Sequence, residues 1–218
     1  MRSNAIENLK RELELNDVQR EVLFGILLGD ACLETQNRGR TYRLKIEQSA
    51  QHEAYVRHQY DLFRDWVLTP PRERIVSASN GSETKSWVFS TVSHSTFRFF
   101  AHQFYGDEGK RVPELLHRWL TPRGLAYWYM DDGSMKSSQS KGVLFNTQGF
   151  ARNDVDALVV ILHSKFGLQA APRHQSDGWQ IYVSGASFET FLGLVDPHVI
   201  LEMRYKIPQA RRTHLPKR

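Results

Sequence analysis

A single cysteine, Cys32, stands among 218 residues, so neither an internal disulfide nor a thiolate cage for zinc can form within the chain. No apolar run approaches the ~20 residues that a membrane-spanning helix needs. The opening segment, MRSNAIENLKRELELND, is a charged helical pattern rather than a signal peptide, which predicts a soluble protein made in a bacterial cytoplasm or an organelle matrix. No Gly/Ser-rich linker interrupts the sequence, so two freely tethered domains are not expected. The nine histidines follow no metal-ligand spacing, and His52, His58, His163 and His198 read as helix-surface residues. Acidic residues are outnumbered, 24 against 29 basic, and the net charge of +5 leans toward a polyanionic partner. With 40% hydrophobic and 24% charged residues, the chain has the composition of a folded protein rather than a disordered one.

What is present is a repeat. An apolar segment ending in Asp occurs as LFGILLGDA (23–31) and again as LAYWYMDDG (125–133). A strand-like run through Gln follows in each half, YRLKIEQSA (42–50) and VLFNTQGFA (143–151). Apolar residues three and four apart then predict helices over 52–68 and 153–168. Two strand candidates separated by turn residues come next, RERIVSAS with KSWVFSTV and QAAPRHQS with GWQIYVSG. Ser93, Thr96, Phe97 and Phe100 are matched by Ser184, Ser187, Phe188 and Phe191, a cap followed by an apolar i, i+3 pair. Each half closes on a basic residue ahead of proline, in GKRVP and YKIP. Matched features in one order predict an α+β pseudo-twofold protein, each half an αββαββα unit, with the boundary between residues 1–119 and 120–218. The halves are expected to pack through the two apolar helices, where Gly25 and Gly29, four apart, permit close approach.

Asp30, and Asp131 with Asp132, fall where those helices should end, beside the negative pole of the macrodipole. A carboxylate there loses up to about 1 kcal/mol unless a cation is present. One such Asp-Gly pair is an ordinary turn, whereas a matched pair at a helix seam points to divalent metal.

The two motif copies, with FNTQGF and RYKIP, resemble those of the LAGLIDADG homing endonucleases, the single-chain kind, over residues 16 to 210. The resemblance implies curved antiparallel sheets lying in the DNA major groove and acids holding Mg²⁺, with Mn²⁺ able to substitute, beneath the minor groove. It implies a monomer that cuts both strands of a long asymmetric site, leaving short 3′ extensions and promoting intron or intein mobility. Carried onto this sequence, the motif acids are Asp30 and Asp132, with Gly29 and Asp131 contributing at most backbone carbonyls to metal. Lys110 and Lys206 would stabilise developing charge, with Arg111 a competitor for Lys110, and Gln48 and Gln148 would orient solvent or touch backbone. Tyr127 and Asp131 depart from the small residues the family prefers there, and the second motif helix is bulky.

Strand faces supply the DNA-contact candidates. In the first half these are Arg38, Arg40, Arg43 and Lys45, then Arg72, Arg74, Ser77, Ser79 and Lys85. In the second they are Lys136, Lys141, Arg173, His174, Gln180 and Tyr182. The terminal RRTHLPKR reads as a phosphate-binding arm. Two other functions share these features: an RNA maturase acting on intron RNA, and a DNA-binding regulator without cleavage.

Overall fold

The structure is a computed structural model that describes residues 2–77, 81–107 and 109–208, with side chains from residue 7 onward. Ser79 and the 211–218 arm lie outside the described residues. The first half runs α1 (Arg2–Glu12), α2 (Asp17–Leu28), β1 (Cys32–Glu34), β2 (Arg43–Ser49), α3 (Glu53–Leu62), β3 (Arg72–Ser77), β4 (Glu83–Ser90), α4 (Phe97–Phe104), a two-residue hairpin β5 (Tyr105–Gly106) and β6 (Gly109–Lys110), and α5 (Leu116–Trp119). The second runs α6 (Pro122–Asp132), β7 (Gly133–Met135), β8 (Val143–Phe145), α7 (Arg152–Phe166), β9 (Ala170–Gln175), β10 (Gly178–Val183) and α8 (Phe188–Val195), then a 3₁₀ segment over Leu201–Lys206. Two four-stranded antiparallel sheets share one topology, β1-β2-β4-β3 and β7-β8-β10-β9.

Local chemistry sets the helix starts. The Asn16 side chain accepts from Gln19 N while the Gln19 side chain accepts from Asn16 N, a reciprocal capping box that opens α2. Thr121 caps α6 through Gly124 N, and Pro122 occupies the first turn, where its missing N–H leaves nothing unpaired. From Val22 to Leu28 and from Gly124 to Met130 every residue is buried, because α2 and α6 are enclosed by each other and by the rest of both halves.

Glycine makes that crossing. A Cβ at Gly25 would stand 2.2 Å from Gly124 O, and one at Gly29 would stand 2.4 Å from the Asp131 side chain. The small partner across from Gly25 is therefore Gly124. The aromatic residues of α6 point away from this contact: Trp128 packs on Phe145 with ring centroids 4.2 Å apart, and Tyr127 OH bonds His58 Nε2 at 2.6 Å.

Each sheet buries one face under its helix. In β2 Leu44, Ile46 and Gln48 are buried, while Arg43, Lys45 and Glu47 alternate on the outer face. Strand β8 stops at Phe145, short of the run read from sequence, because Asn146 to Gly149 turn and Phe150 N bonds Thr147 O.

Register relates the halves residue by residue. Cys32 and Ser134, each two past a motif acid, lie opposite Lys45 and Leu144. Trp87 and Trp179 each stack under an arginine, Arg57 and Arg152, and three residues on, Ser90 and Tyr182 again face Lys45 and Leu144. Both routes equate Lys45 with Leu144, hence Glu47 with Asn146 and Gln48 with Thr147.

Candidate active site at the ends of the paired helices

Helices α2 and α6 deliver their C-termini to one place. Asp131 Oδ2 accepts from Asp30 N at 3.2 Å, and the single Gln48 Nε2 bridges Asp30 Oδ2 at 2.9 Å and Asp131 Oδ1 at 3.2 Å. Asp30 is exposed, whereas Asp131 and Asp132 are partly buried. Burial, then the charges of Asp30 and Asp132, hold the Asp131 carboxyl well above the usual range. Burial and the Asp30 charge push Asp132 up to about 7, against the opposing pull of Lys110 and Lys206. Tyr55 is turned toward Asp131 and Trp128 toward Asp132, yet neither Tyr55 OH nor Trp128 Nε1 completes a hydrogen bond.

Two ammonium groups sit on the helix-end carbonyls. Lys110 Nζ donates to Gly29 O at 2.5 Å; Lys206 Nζ donates to Asp131 O at 2.8 Å and Met130 O at 2.5 Å. These are carbonyls that a helix end leaves unpaired, so each cation completes the dipole. Burial lowers both lysines, with the acids opposing. The acid acting most strongly on Lys110 is Asp132, from the other half. Lys206 feels Asp131, then Asp30, ahead of Asp132. His52, beside Gln48 in sequence, bonds Tyr205 OH at 2.9 Å and is itself lowered by burial and by Lys206. Tyr129 OH donates to Lys206 O at 2.6 Å and fixes the backbone beneath that lysine.

Several sequence-based expectations need correcting. Gln148 does not mirror Gln48; it reaches Asp177 at 3.5 Å near the β9–β10 turn, and the position equivalent to Gln48 is Thr147, whose hydroxyl donates to Trp179 O at 2.7 Å. The polar side chain at the second acid is Asn146, whose Nδ2 donates to Asp132 O at 2.8 Å. Arg111 folds back onto Gln103 O and His102 O at the end of α4, leaving Lys110 alone at Gly29.

The outer sheet faces also differ from the expected sets. Arg72 and Arg74 share the outer face with Lys45, but Lys85, opposite Ile75, falls on the α3 side with Ser77. Arg173, Gln180 and Tyr182 lie on the outer face of the second sheet, with Lys136 over the Tyr182 ring at 4.9 Å. His174 turns to the α7 side, its ring 4.7 Å from Trp179. Lys141 is tied to Glu189 of α8 at 2.8 Å. Arg38 and Arg40 are exposed on the β1–β2 loop, where Arg38 adopts φ 56°.

The donors available for a metal are hard oxygens: the Asp30 and Asp132 carboxylates and the Gly29 and Asp131 carbonyls. Among the described residues no group of three or more His, Cys, Asp or Glu side chains could hold a metal ion. Hard oxygens in small number suit a hard divalent cation that keeps several of its waters.

A domain of the same architecture recurs in known proteins. The model of the LAGLIDADG DNA endonuclease family matches residues 20–191. A probable intron-encoded endonuclease 1 of Wickerhamomyces canadensis is 30% identical over 211 residues, covering 94% of this chain and 90% of its own. The DNA endonuclease I-ChuI of Chlamydomonas applanata is 29% identical, covering 93% of this chain and 100% of its own. A structure of the homing endonuclease I-WcaI bound to its DNA recognition sequence superposes with a TM-score of 0.88 at 29% identity, over 94% of this chain and 93% of that one. Two motif helices ending in acids, the twinned sheets and these matches make the chain a member of the LAGLIDADG DNA endonuclease family.

Proposed function

We propose that this protein is a monomeric, site-specific homing endonuclease that hydrolyses one phosphodiester in each strand of a long asymmetric duplex. The observation that carries this reading is the meeting of Asp30 and Asp132 at the ends of crossed helices, each with a buried-stem lysine, between two outward sheet faces. Residues 1–119 and 120–218 act as the two modules, and the outer-face residues Arg43, Lys45, Arg72, Arg74, Lys136, Arg173, Gln180 and Tyr182 line the DNA. The exposed loop residues Arg38 and Arg40 reach the backbone. The work is done where the encoding DNA lies, in a bacterial cytoplasm or organelle matrix.

Asp30, Asp132 and the carbonyls of Gly29 and Asp131 would hold Mg²⁺, with Mn²⁺ able to replace it. When bound, the ion lowers the pKa of a water and offsets charge on the phosphate oxygens. The chain's own groups do the rest. Gln48 Nε2 fixes the Asp30 carboxylate, and Asn146 fixes the backbone at Asp132. Lys110 and Lys206 place positive charge beside the negative charge that builds on the attacked phosphate. Lys110 sits on the end of the helix that leads into Asp30 and Lys206 on the end of the helix that carries Asp132, while the charges of both acids reach both lysines.

The test is a supercoiled-plasmid assay carrying the joined flanks of the encoding gene, with and without Mg²⁺, run beside a splicing assay. Linear product that requires Mg²⁺, and that Asp30→Asn and Asp132→Asn each abolish, supports the reading. Splicing without cleavage moves the chain to the maturase reading, and binding without either moves it to the regulator.

A further inference from the structure

The outer face of the first sheet contains an acid where a DNA-binding surface has least use for one. Glu47 lies at the middle of β2, between Lys45 and the site-facing end of the strand, with its side chain on the outward face. It is enclosed by donors: Lys45 Nζ at 2.9 Å, Arg74 Nη1 at 3.0 Å to both carboxylate oxygens, and Ser86 Oγ at 2.7 Å. Lys45 in turn stands 3.8 Å from Glu34, which also takes Arg43 Nε and Nη2 at 2.9 and 2.7 Å. The second sheet is built differently at the matching positions. Register puts Asn146 where Glu47 stands, and Lys136, six residues from the register-matched Gly142 partner, where Glu34 stands.

A carboxylate here repels phosphate and weakens attraction to any duplex. It also restrains two long side chains that would otherwise settle on whichever phosphate is near. With Lys45 and Arg74 held by Glu47 on the outer face, their remaining N–H groups can only donate. Guanine alone offers two adjacent acceptors in the major groove, O6 and N7.

Resting on the reading of this protein as a DNA endonuclease, we propose that Glu47 is a specificity-determining positioning residue, which aims Lys45 and Arg74 at the acceptor edge of a G·C pair in the first half-site. The charge of Glu47 persists through the whole working range. Partial burial opposes ionisation, but the hydrogen bonds from Ser86 and Lys45 and the Lys45 charge outweigh it and bring the carboxyl down to about 2. The trade is lower affinity for DNA in general against sharper discrimination at one or two base pairs.

The experiment uses the full-length chain, a library of random-sequence duplexes long enough for both half-sites, and sequencing of the bound fraction. Glu47→Gln keeps the shape and removes the charge, and its melting temperature is measured beside the wild type. The expected result is at least about a fivefold loss of discrimination at one or two G·C pairs of one half-site, with the other half-site unchanged. Binding to a single random duplex should strengthen, with the log–log salt slope steeper by about one. Combined with Arg74→Ala, the substitution should relax those positions no further than the more severe single change. A wild-type motif retained in Glu47→Gln overturns the proposal, as does a motif eroded equally across both half-sites. A wild type that enriches no motif at all refutes the endonuclease reading instead, which the wild-type arm reports independently of the variant.

Discussion

Replacing Asp132 by Asn should make the metal-free protein more stable at alkaline pH, although it removes one of the two acids proposed to serve cleavage. In the folded chain the Asp132 carboxyl is pushed up from 3.8 to about 7, first by burial and then by the Asp30 charge. The folded state therefore holds a proton that the unfolded chain has already released, and stability falls as pH rises from about 4 to about 7 before levelling. A shift of about 3 units corresponds to about 4 kcal/mol at the plateau. Asp132 is only partly buried, so solvent entry reduces this to about 2 kcal/mol, or about 4–8 °C in melting temperature for a chain of this size. Thermal melts in EDTA at pH 4, 5, 6, 7 and 8 measure it. Asp132→Asn should melt with the wild type at pH 4, show less than half of its final advantage at pH 5 and reach the full advantage by pH 8. Asp131, whose carboxyl the Asp132 charge also holds up, ionises more readily in the variant, which acts in the same direction at high pH. An offset independent of pH, or a variant that melts lower at pH 8, would refute the claim that this carboxylate is ionised against its surroundings.

Three further outcomes follow from the geometry. Since Lys110 holds Gly29 O and Lys206 holds Asp131 O, Lys110→Met and Asp30→Asn should slow the same strand, and Lys206→Met and Asp132→Asn the other, as read by nicked-plasmid products with each strand end-labelled. Gly25→Ala drives a methyl to 2.2 Å from Gly124 O and should destabilise by about 3 kcal/mol in chemical denaturation, since backbone cannot yield as a side chain can. Arg173→Ala on the outer face should reduce the salt slope of DNA binding by about one, while His174→Ala, whose ring packs on Trp179, should leave that slope unchanged.

The repeat made much of the fold legible, because apolar periodicity and its order survive divergence of the individual residues. Gly25 at the crossing was readable for the same reason: it is a local solution to a local problem. Register was not. Gln48 and Gln148 share a sequence context, yet strand pairing equates Gln48 with Thr147, one residue before Gln148, and an offset of one residue exchanges the two faces of a strand. Lys85 and His174 were misplaced by the same parity. Asn146 and Glu47 lie inside the repeated strand runs, yet nothing along the chain singled them out; their importance comes from carbonyls, ammonium groups and hydroxyls brought to them by other elements. The seating of Lys110 on Gly29 O and of Lys206 on the Met130 and Asp131 carbonyls belongs to the assembled crossing and joins residues about 75 to 81 apart along the chain.

The contact of Gly25 with Gly124 and of Gly29 with Asp131 also settles what the two halves can no longer be. Aligned by their motif acids, Gly25 corresponds to Tyr127, Gly124 to Val22, and Gly29 to Asp131. Two copies of the second half, joined as a symmetrical dimer, would bring Asp131 against Asp131, two carboxylates claiming one space without Gly29 to admit either. Two copies of the first would set Gly25 against Val22 and leave a gap where Asp131 fills the space beside Gly29. Each helix is thus shaped as a complement to its neighbour and as a misfit to itself. A chimaera that exchanges one half for that of a relative must carry these two contacts with it, or it inherits a crossing that neither parent ever had to form.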